Sequence, residues 1–416
     1  MPSPTARSAR GFSLPEAGAT GKRTIAIISA GLLLLTPGCA SALFQDEVEI
    51  WASLNSTHDS NVLRLSKNLS PESVGAPGLG DTFNTLKVGA AADIPVSLQR
   101  IQAAFTWQRT RYNSFTNLDF DGHVATLNWA WVIDHRFYGS IGASDSKGLA
   151  SFSNIQRNAQ DLVTTRLANA TGNWRVTPEW RASAAVNWGK SEHSDPLRAA
   201  NNVETTSLEG GLAYVTPEEN TVAGIVRFEH GKRPPTSDVV GALVDNTYRQ
   251  SGVGATAAWA FNPHSRLDGN LVFIRRTYDA DTRRNFSGLT GRAVYTWTPT
   301  PKITVASALY RDIGPSDDVT TSFVLANGAY IRPRWDATEK ISIQGNVEYD
   351  RFDFHGDPLH PTDFSHRLRT YGASALYRPT RKSMLSAGVN REIRTSDLPL
   401  ADYDAKVIFI EGRIGF

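Results

Sequence analysis

A chain of 416 residues is long enough for several soluble domains or for one large barrel. Apolar residues make up 40% and the mean hydropathy is −0.30, which excludes a helical membrane protein. The formal charge of +2 offers no basic surface for nucleic acid. Ten Trp, twelve Tyr and 33 Gly instead favour strands with aromatic girdles.

The N-terminus reads as an export signal. Lys22 and Arg23 precede an apolar run, Thr24 to Leu35, that is too short to span a bilayer. Ala40-Ser41-Ala42 fits the small-x-small cleavage pattern, so residues 1–42 are expected to be a signal peptide and residues 43–416 the mature barrel. The alternative is a lipoprotein signal cleaved before Cys39, although Thr36 and Pro37 fit a lipobox poorly. Cys39 is the single cysteine, so ordinary cleavage leaves no thiol nucleophile, disulfide or Cys-based metal site. Residues 1–42 hold Arg7, Arg10, Lys22 and Arg23 against Glu16, and their removal leaves the mature chain near neutral.

The mature chain opens with an expected strand, Glu47–Asn55, and then alternates two kinds of connection. Short turns containing Pro or Asx recur at intervals of roughly forty residues, each joining two strands. They are Asp93-Ile94-Pro95, Asp134-His135-Arg136, Thr177-Pro178-Glu179, Thr216-Pro217-Glu218, Asn262-Pro263-His264, Thr298-Pro299-Thr300-Pro301, Asp336-Ala337-Thr338 and Arg378-Pro379-Thr380. Between them lie longer polar connections such as Ser56–Asp81, Ser191–Asn202, Gly231–Asn246 and His355–Phe364. This is the layout of an all-β, antiparallel transmembrane barrel of the bacterial outer membrane, with about eighteen strands, short periplasmic turns and longer extracellular loops. A propeller repeats at a similar length, but its blades need four strands where each interval here holds two. The loops Ser56–Asp81 and Gly231–Asn246 either fold inward and narrow a pore or remain surface.

Single strands carry the period of two. Trp180, Ala182, Ala184, Val186 and Trp188 share one face, against Arg181, Ser183, Ala185 and Asn187. Ile341, Ile343, Gly345, Val347 and Tyr349 oppose Ser342, Gln344, Asn346 and Glu348. Aromatics gather beside the turns at Trp129, Trp131, Trp174, Tyr214, Trp259, Phe261, Trp297 and Tyr377, where a girdle belongs. Polar side chains recur at mid-strand, and a dry core would leave them costly, whereas a wet lumen would not. The candidate lumen-facing residues are Arg181, Glu209, Asp268, Arg292, Gln344, Glu348, Glu411 and Arg413. Their polarity follows from barrel architecture alone or lines a sugar path built from many weak hydrogen bonds.

The last strand, Tyr403–Phe416, sets Ile408, Ile410, Gly412 and Ile414 against Phe409, Glu411, Arg413 and Gly415. It is expected to pair with the first strand and close the wall. Its terminal aromatic, Phe416, is expected to engage the barrel assembly machinery, with membrane lipid contacting the aliphatic face.

The stretch Asp59-Ser60-Asn61-Val62-Leu63-Arg64-Leu65 resembles the Asp-x-Asn-hydrophobic-x-Arg-Leu signature of the EpsL-type outer-membrane proteins, with His58 where an aromatic is usual. Four further stretches match in order: Arg111–Gly122, Leu149-Ala150-Ser151-Phe152, Gln156-Arg157-Asn158 and Thr177-Pro178-Glu179-Trp180. Such proteins accompany exopolysaccharide and exosortase systems. The resemblance implies a role in secreting or assembling an extracellular polysaccharide; with no energy-coupling motif in the chain, the expected form of that role is a passive outer-membrane conduit working with periplasmic export partners. A general porin or sugar-uptake channel has the same architecture, and a third reading is a barrel enzyme or anchor acting on the polymer.

No enzymatic constellation stands out, and neither a cofactor nor a metal site is expected. His355, His360 and His366 share a polar segment with Asp353, Asp357 and Asp363, but their spacing fits no compact ligand motif and reads as an outer loop. Gly252-Val253-Gly254 lacks the third glycine of a dinucleotide loop.

Overall fold

The computed structural model describes residues 48–153, 156–237, 243–280, 282–314, 323–355 and 363–416. The signal peptide, Cys39, Glu47, Asp357 and His360 lie outside these residues. Strands β1 (Val48–Asp59), β2 (Asp81–Val96), β3 (Gln99–Tyr112), β4 (Phe120–Asp134), β5 (Phe137–Leu149), β6 (Leu162–Arg175), β7 (Trp180–His193), β8 (Val203–Val215) and β9 (Thr221–Lys232) form the first half. A two-residue hairpin, β10 (Thr236–Ser237) and β11 (Leu243–Val244), interrupts the series. The second half is β12 (Tyr248–Asn262), β13 (Ser265–Tyr278), β14 (Phe286–Thr300), β15 (Ile303–Gly314), β16 (Phe323–Asp336), β17 (Ile341–His355), β18 (Phe364–Thr380), β19 (Ser383–Ser396) and β20 (Tyr403–Gly415).

Eighteen of these strands make one antiparallel sheet, with β9 pairing β12 across the small hairpin. β1 pairs β2 on one side and β20 on the other, from Trp51↔Gly415 to Asp59↔Val407, so the sheet closes on itself. Closure leaves no open edge, which is what a lipid environment demands of a sheet.

Alternation sorts the wall into two faces. Ile408, Ile410 and Ile414 of β20 are exposed, as are Ile50 and Leu54 of β1, Val226 and Phe228 of β9, and Ile343 and Val347 of β17. Trp129, Trp174, Tyr214, Phe261, Trp297 and Tyr377 stand on the same outer face near the short turns and are also exposed. Aromatics with a wet edge and an apolar body suit the membrane interface. An unbroken apolar outer belt on a closed barrel makes this an outer-membrane β-barrel, with the short turns periplasmic and the long loops extracellular.

Three of the turn expectations shift by two or three residues. Pro95, Pro299 and Pro379 lie inside strands, and the turns proper are 97–98, 301–302 and 381–382. The ladders break register between Trp297 and Thr300 and between Tyr377 and Thr380, so Pro299 and Pro379 sit in bulges where a missing N–H costs little. Pro95 stands one rung from the end of its ladder, and Ser97, at φ +55°, makes the turn. The first strand is also longer than expected. Ser56, Thr57 and His58 continue the ladder opposite Asn84, Phe83 and Thr82, which shortens the first loop to residues 60–80. Their polarity suggested a loop, but the strand here has passed above the apolar belt.

Candidate functional site

The first loop, residues 60–80, turns back on itself at once. Asp59 Oδ1 accepts from the Asn61 N–H (2.9 Å), Asn61 Oδ1 accepts from the Leu65 N–H (2.8 Å), and Asn61 Nδ2 donates to the Leu65 carbonyl (2.8 Å). An Asx side chain holding its own neighbouring backbone is a compact turn device. Arg64 occupies the left-handed region at φ +56°, which reverses the chain and drives Leu63 and Leu65 into full burial.

The Arg64 side chain then ties the loop to the closing seam. Its Nη1 donates to Asp59 Oδ2 (2.7 Å) and its Nε to Glu392 Oε2 of β19 (3.1 Å), with the guanidinium 5.9 Å from the Tyr403 ring. Burial opposes its charge, but Asp59 and Glu392 together outweigh that and raise its pKa further above the ordinary arginine value. Asn61 Nδ2 also reaches the Asp404 carbonyl (3.3 Å), and Ser66 Oγ donates to Asp402 Oδ1 (3.0 Å).

Other loops complete the cluster. Phe115 and Leu118 are fully buried beside Val62, Leu63, Leu65 and Ala76, with Leu149 and Phe152 packed against them. Asp81 Oδ2 accepts the N–H groups of Ser114 and Phe115 (2.9 Å each) and fixes that loop. Gln156 Nε2 donates to the Arg64 carbonyl (2.6 Å), Asn158 Nδ2 to the Gly75 carbonyl (2.6 Å), and Arg157 pairs with Asp195. Four of the five stretches singled out in the sequence therefore meet at one place. The fifth, Thr177-Pro178-Glu179-Trp180, lies at the opposite, periplasmic end.

A second element enters the extracellular half of the lumen. The β14–β15 ladder stops at Gly291↔Arg311, although β14 begins five residues earlier and β15 runs on to Gly314. Beyond that point Phe323 and Leu325 of β16, which alternation assigns to the outer face, are buried with Tyr248 and Tyr278 from the inner face of β12 and β13. Ile313 packs there too, against Ile225, Val272 and Ile274. On its other side the same tip buries Val324 and Ala326 with Phe352, Phe354, Phe364, Leu368 and Tyr403. The upper part of the β15–β16 hairpin has thus parted from β14, while β16 stays laddered to β17 up to Phe323↔His355, and it turns inward over the inner face of β12 and β13 with apolar side chains on both sides.

The eight candidate lumen residues all stand on the polar face, opposite in parity to the exposed apolar side chains. Arg413 pairs with Glu49 and Lys87 with Glu411 (3.9 Å). Arg227 Nε donates to Glu209 (2.7 Å), Arg266 to Asp268 (2.8 Å) and Arg292 to Asp312 (3.0 Å). Arg332 donates to Glu348 (2.9 Å). Tyr310 gathers two of the eight, donating to Glu348 (3.2 Å) beneath the Arg292 guanidinium, 4.2 Å from its ring. Gln344 faces Arg334 and Ser374 in the ladders, and Arg181 faces Arg175 and Ala213. These residues ring the wall without converging on one site. Sequence reasoning singled out Arg64 only as part of a motif, and missed Glu392, Tyr310 and the β15–β16 tip.

His355 Nδ1 contacts Asp363 (2.7 Å), while His366 faces inward among Phe354 and Phe364. Among the described residues no three His, Cys, Asp or Glu side chains gather as a metal site. A concavity of about 550 Å³ opens on the outer, lipid-facing side, lined chiefly by Trp129, Trp131, Ile141, Ala184, Val186 and Leu208.

Residues 239–416, somewhat under half of the chain, match the family model described as "Putative beta-barrel porin 2". No curated protein is similar in sequence. Among solved structures the chain is similar to the outer-membrane protein OpdK from Pseudomonas aeruginosa, at 11% identity over 90% of this chain and 100% of that one, with a TM-score of 0.45. It is also similar to OccK2 (OpdF) of Pseudomonas aeruginosa in complex with glucuronate, at 9% identity over 89% and 98%, with a TM-score of 0.48. The siderophore receptor PirA from Pseudomonas aeruginosa is similar at 9% identity over 89% and 80%, with a TM-score of 0.43.

Proposed function

We propose that the protein is a passive outer-membrane conduit for an extracellular polysaccharide, held closed at its extracellular mouth in the state described here. One observation carries this reading. The stretches that resemble the EpsL-type signature are not scattered along the wall; four of them build the closure around Arg64. Below it, paired arginines and carboxylates with Tyr310 and Tyr330 offer many weak hydrogen-bonding partners and no tight site, as a polymer path requires. The conduit needs no chemistry of its own, and the polymer is driven by partners on the periplasmic side.

The family-model match over residues 239–416 favours a second reading, a general porin or sugar-uptake channel. A gene-deletion strain separates the two. Loss of secreted polymer with normal nutrient uptake is the expected result. Normal secretion with impaired uptake would transfer the assignment to the porin. Polymer that is exported but altered in length or attachment would point to an enzyme or anchor.

A further inference from the structure

Above the apolar belt the outer face becomes charged, and the pairing of its charges differs around the circumference. On the β3–β7 arc Arg166 stands opposite Lys190, but most cations there have an acid beside them: Arg109 and Arg111 share Asp121 (2.9 and 3.1 Å), Arg166 meets Asp145 (2.9 Å) and Lys190 meets Glu192 (2.8 Å), while Lys147 has no such partner among the described residues. On the β17–β20 arc two opposed pairs stand close together and fewer cations have an acid partner. Arg351 stands directly opposite Arg367, and Arg391 directly opposite Lys406, with Arg369 between the two pairs. Like charges facing each other across a ladder destabilise a sheet.

The nearby acids resolve this only in part, because each is already held by another group. Asp353 is held by Arg351 (2.8 Å), Asp404 by Arg391 (2.6 Å), and Asp397 accepts from the Ser365 hydroxyl and N–H (2.6 and 3.1 Å). No hydrogen bond or ion pair among the described residues engages the side chains of Arg367, Arg369 or Lys406. Immediately below, Tyr349 faces Arg369 and Tyr371 faces Arg391, both exposed, and beneath them lie Val347, Val389 and Ile408. Tyrosines above an aliphatic surface mark the level where acyl chains end and headgroups begin.

We propose that Arg351, Arg367, Arg369, Arg391 and Lys406 form a binding site for the phosphate groups of an outer-leaflet glycolipid, whose acyl chains lie along Val347, Val389 and Ile408. Guanidinium groups bind phosphate oxygens by paired, charge-assisted hydrogen bonds, and one phosphate set between opposed cations removes their repulsion. The site is independent of what passes through the lumen.

The test is native mass spectrometry of the full-length folded barrel with bis-phosphorylated lipid A. A retained lipid is expected, with retention falling roughly tenfold or more in the R367Q/R369Q/K406Q variant. Retention in R166Q, on the β3–β7 arc where Arg166 is held by Asp145, stays at the parent level. R369Q alone, which leaves both opposed pairs in place, guards against loss of folding and should show an intermediate loss. Equal retention by parent and triple variant, equal retention of dephosphorylated lipid A, or displacement by millimolar inorganic phosphate would each overturn the proposal.

Discussion

Arg64 couples the first loop to a strand more than three hundred residues away, and its removal leaves Asp59 and Glu392 buried without their cation. Losing one partner of such a pair costs about 3–5 kcal/mol. Arg64→Ala should therefore release the loop while the wall stays intact. Limited proteolysis should cut within residues 60–80, with the folded, SDS-resistant band unchanged. Asn61→Ala removes two side-chain bonds that shape the turn and a third to the Asp404 carbonyl, and should act in the same direction, weakening the loop's anchoring by about 1–3 kcal/mol. Protection of these loop amides in hydrogen exchange reads that loss. At this scale the sequence offered the motif but not its partner. Nothing local to Glu392 distinguishes it from any other inward carboxylate, because the contact exists only once the barrel has closed. The ion pairs of Glu209, Asp268 and Arg292 were likewise legible as inward polarity, and their partners were not.

Strands were the most legible elements, since alternation reports directly which face meets lipid. The β15–β16 tip is where that signal misleads. Phe323 and Leu325 keep the alternating pattern of lipid-facing residues, yet the tip has parted from β14 and turned inward, so that both faces are covered. A period of two records burial on one side and cannot say whether the cover is lipid or protein. Leu325→Arg places an unpaired charge in that apolar contact, so the tip should be expelled into the mouth. A cysteine reporter at Leu325, which the closed form hides, should label more than tenfold faster when Phe323 is also changed to Ala, a truncation that removes about 3–5 kcal/mol of packing. Elsewhere the wall itself is unforgiving. Any Cβ at Gly139 meets the Thr171 carbonyl and the Trp131 ring, so Gly139→Val should reduce the folded fraction on cold SDS gels.

For the whole molecule, the eight short turns were sufficient to expect eighteen strands and closure between the first and last, and the molecule has both. The turns were read a few residues early where prolines sat in bulges, which moved boundaries without altering the count. The inward packing of the extracellular loops was not legible, because the first loop reads as polar and glycine-rich and its burial depends on loops brought together by the closed wall. On the proposed reading, the Arg64 loop and the β15–β16 tip hold a wide barrel shut. Single-channel conductance in planar bilayers tests this most directly. The parent barrel should be silent or flicker rarely, and the R64A/L325R variant should show large, sustained steps. Steady conductance of the parent at the level of the variant would contradict the account.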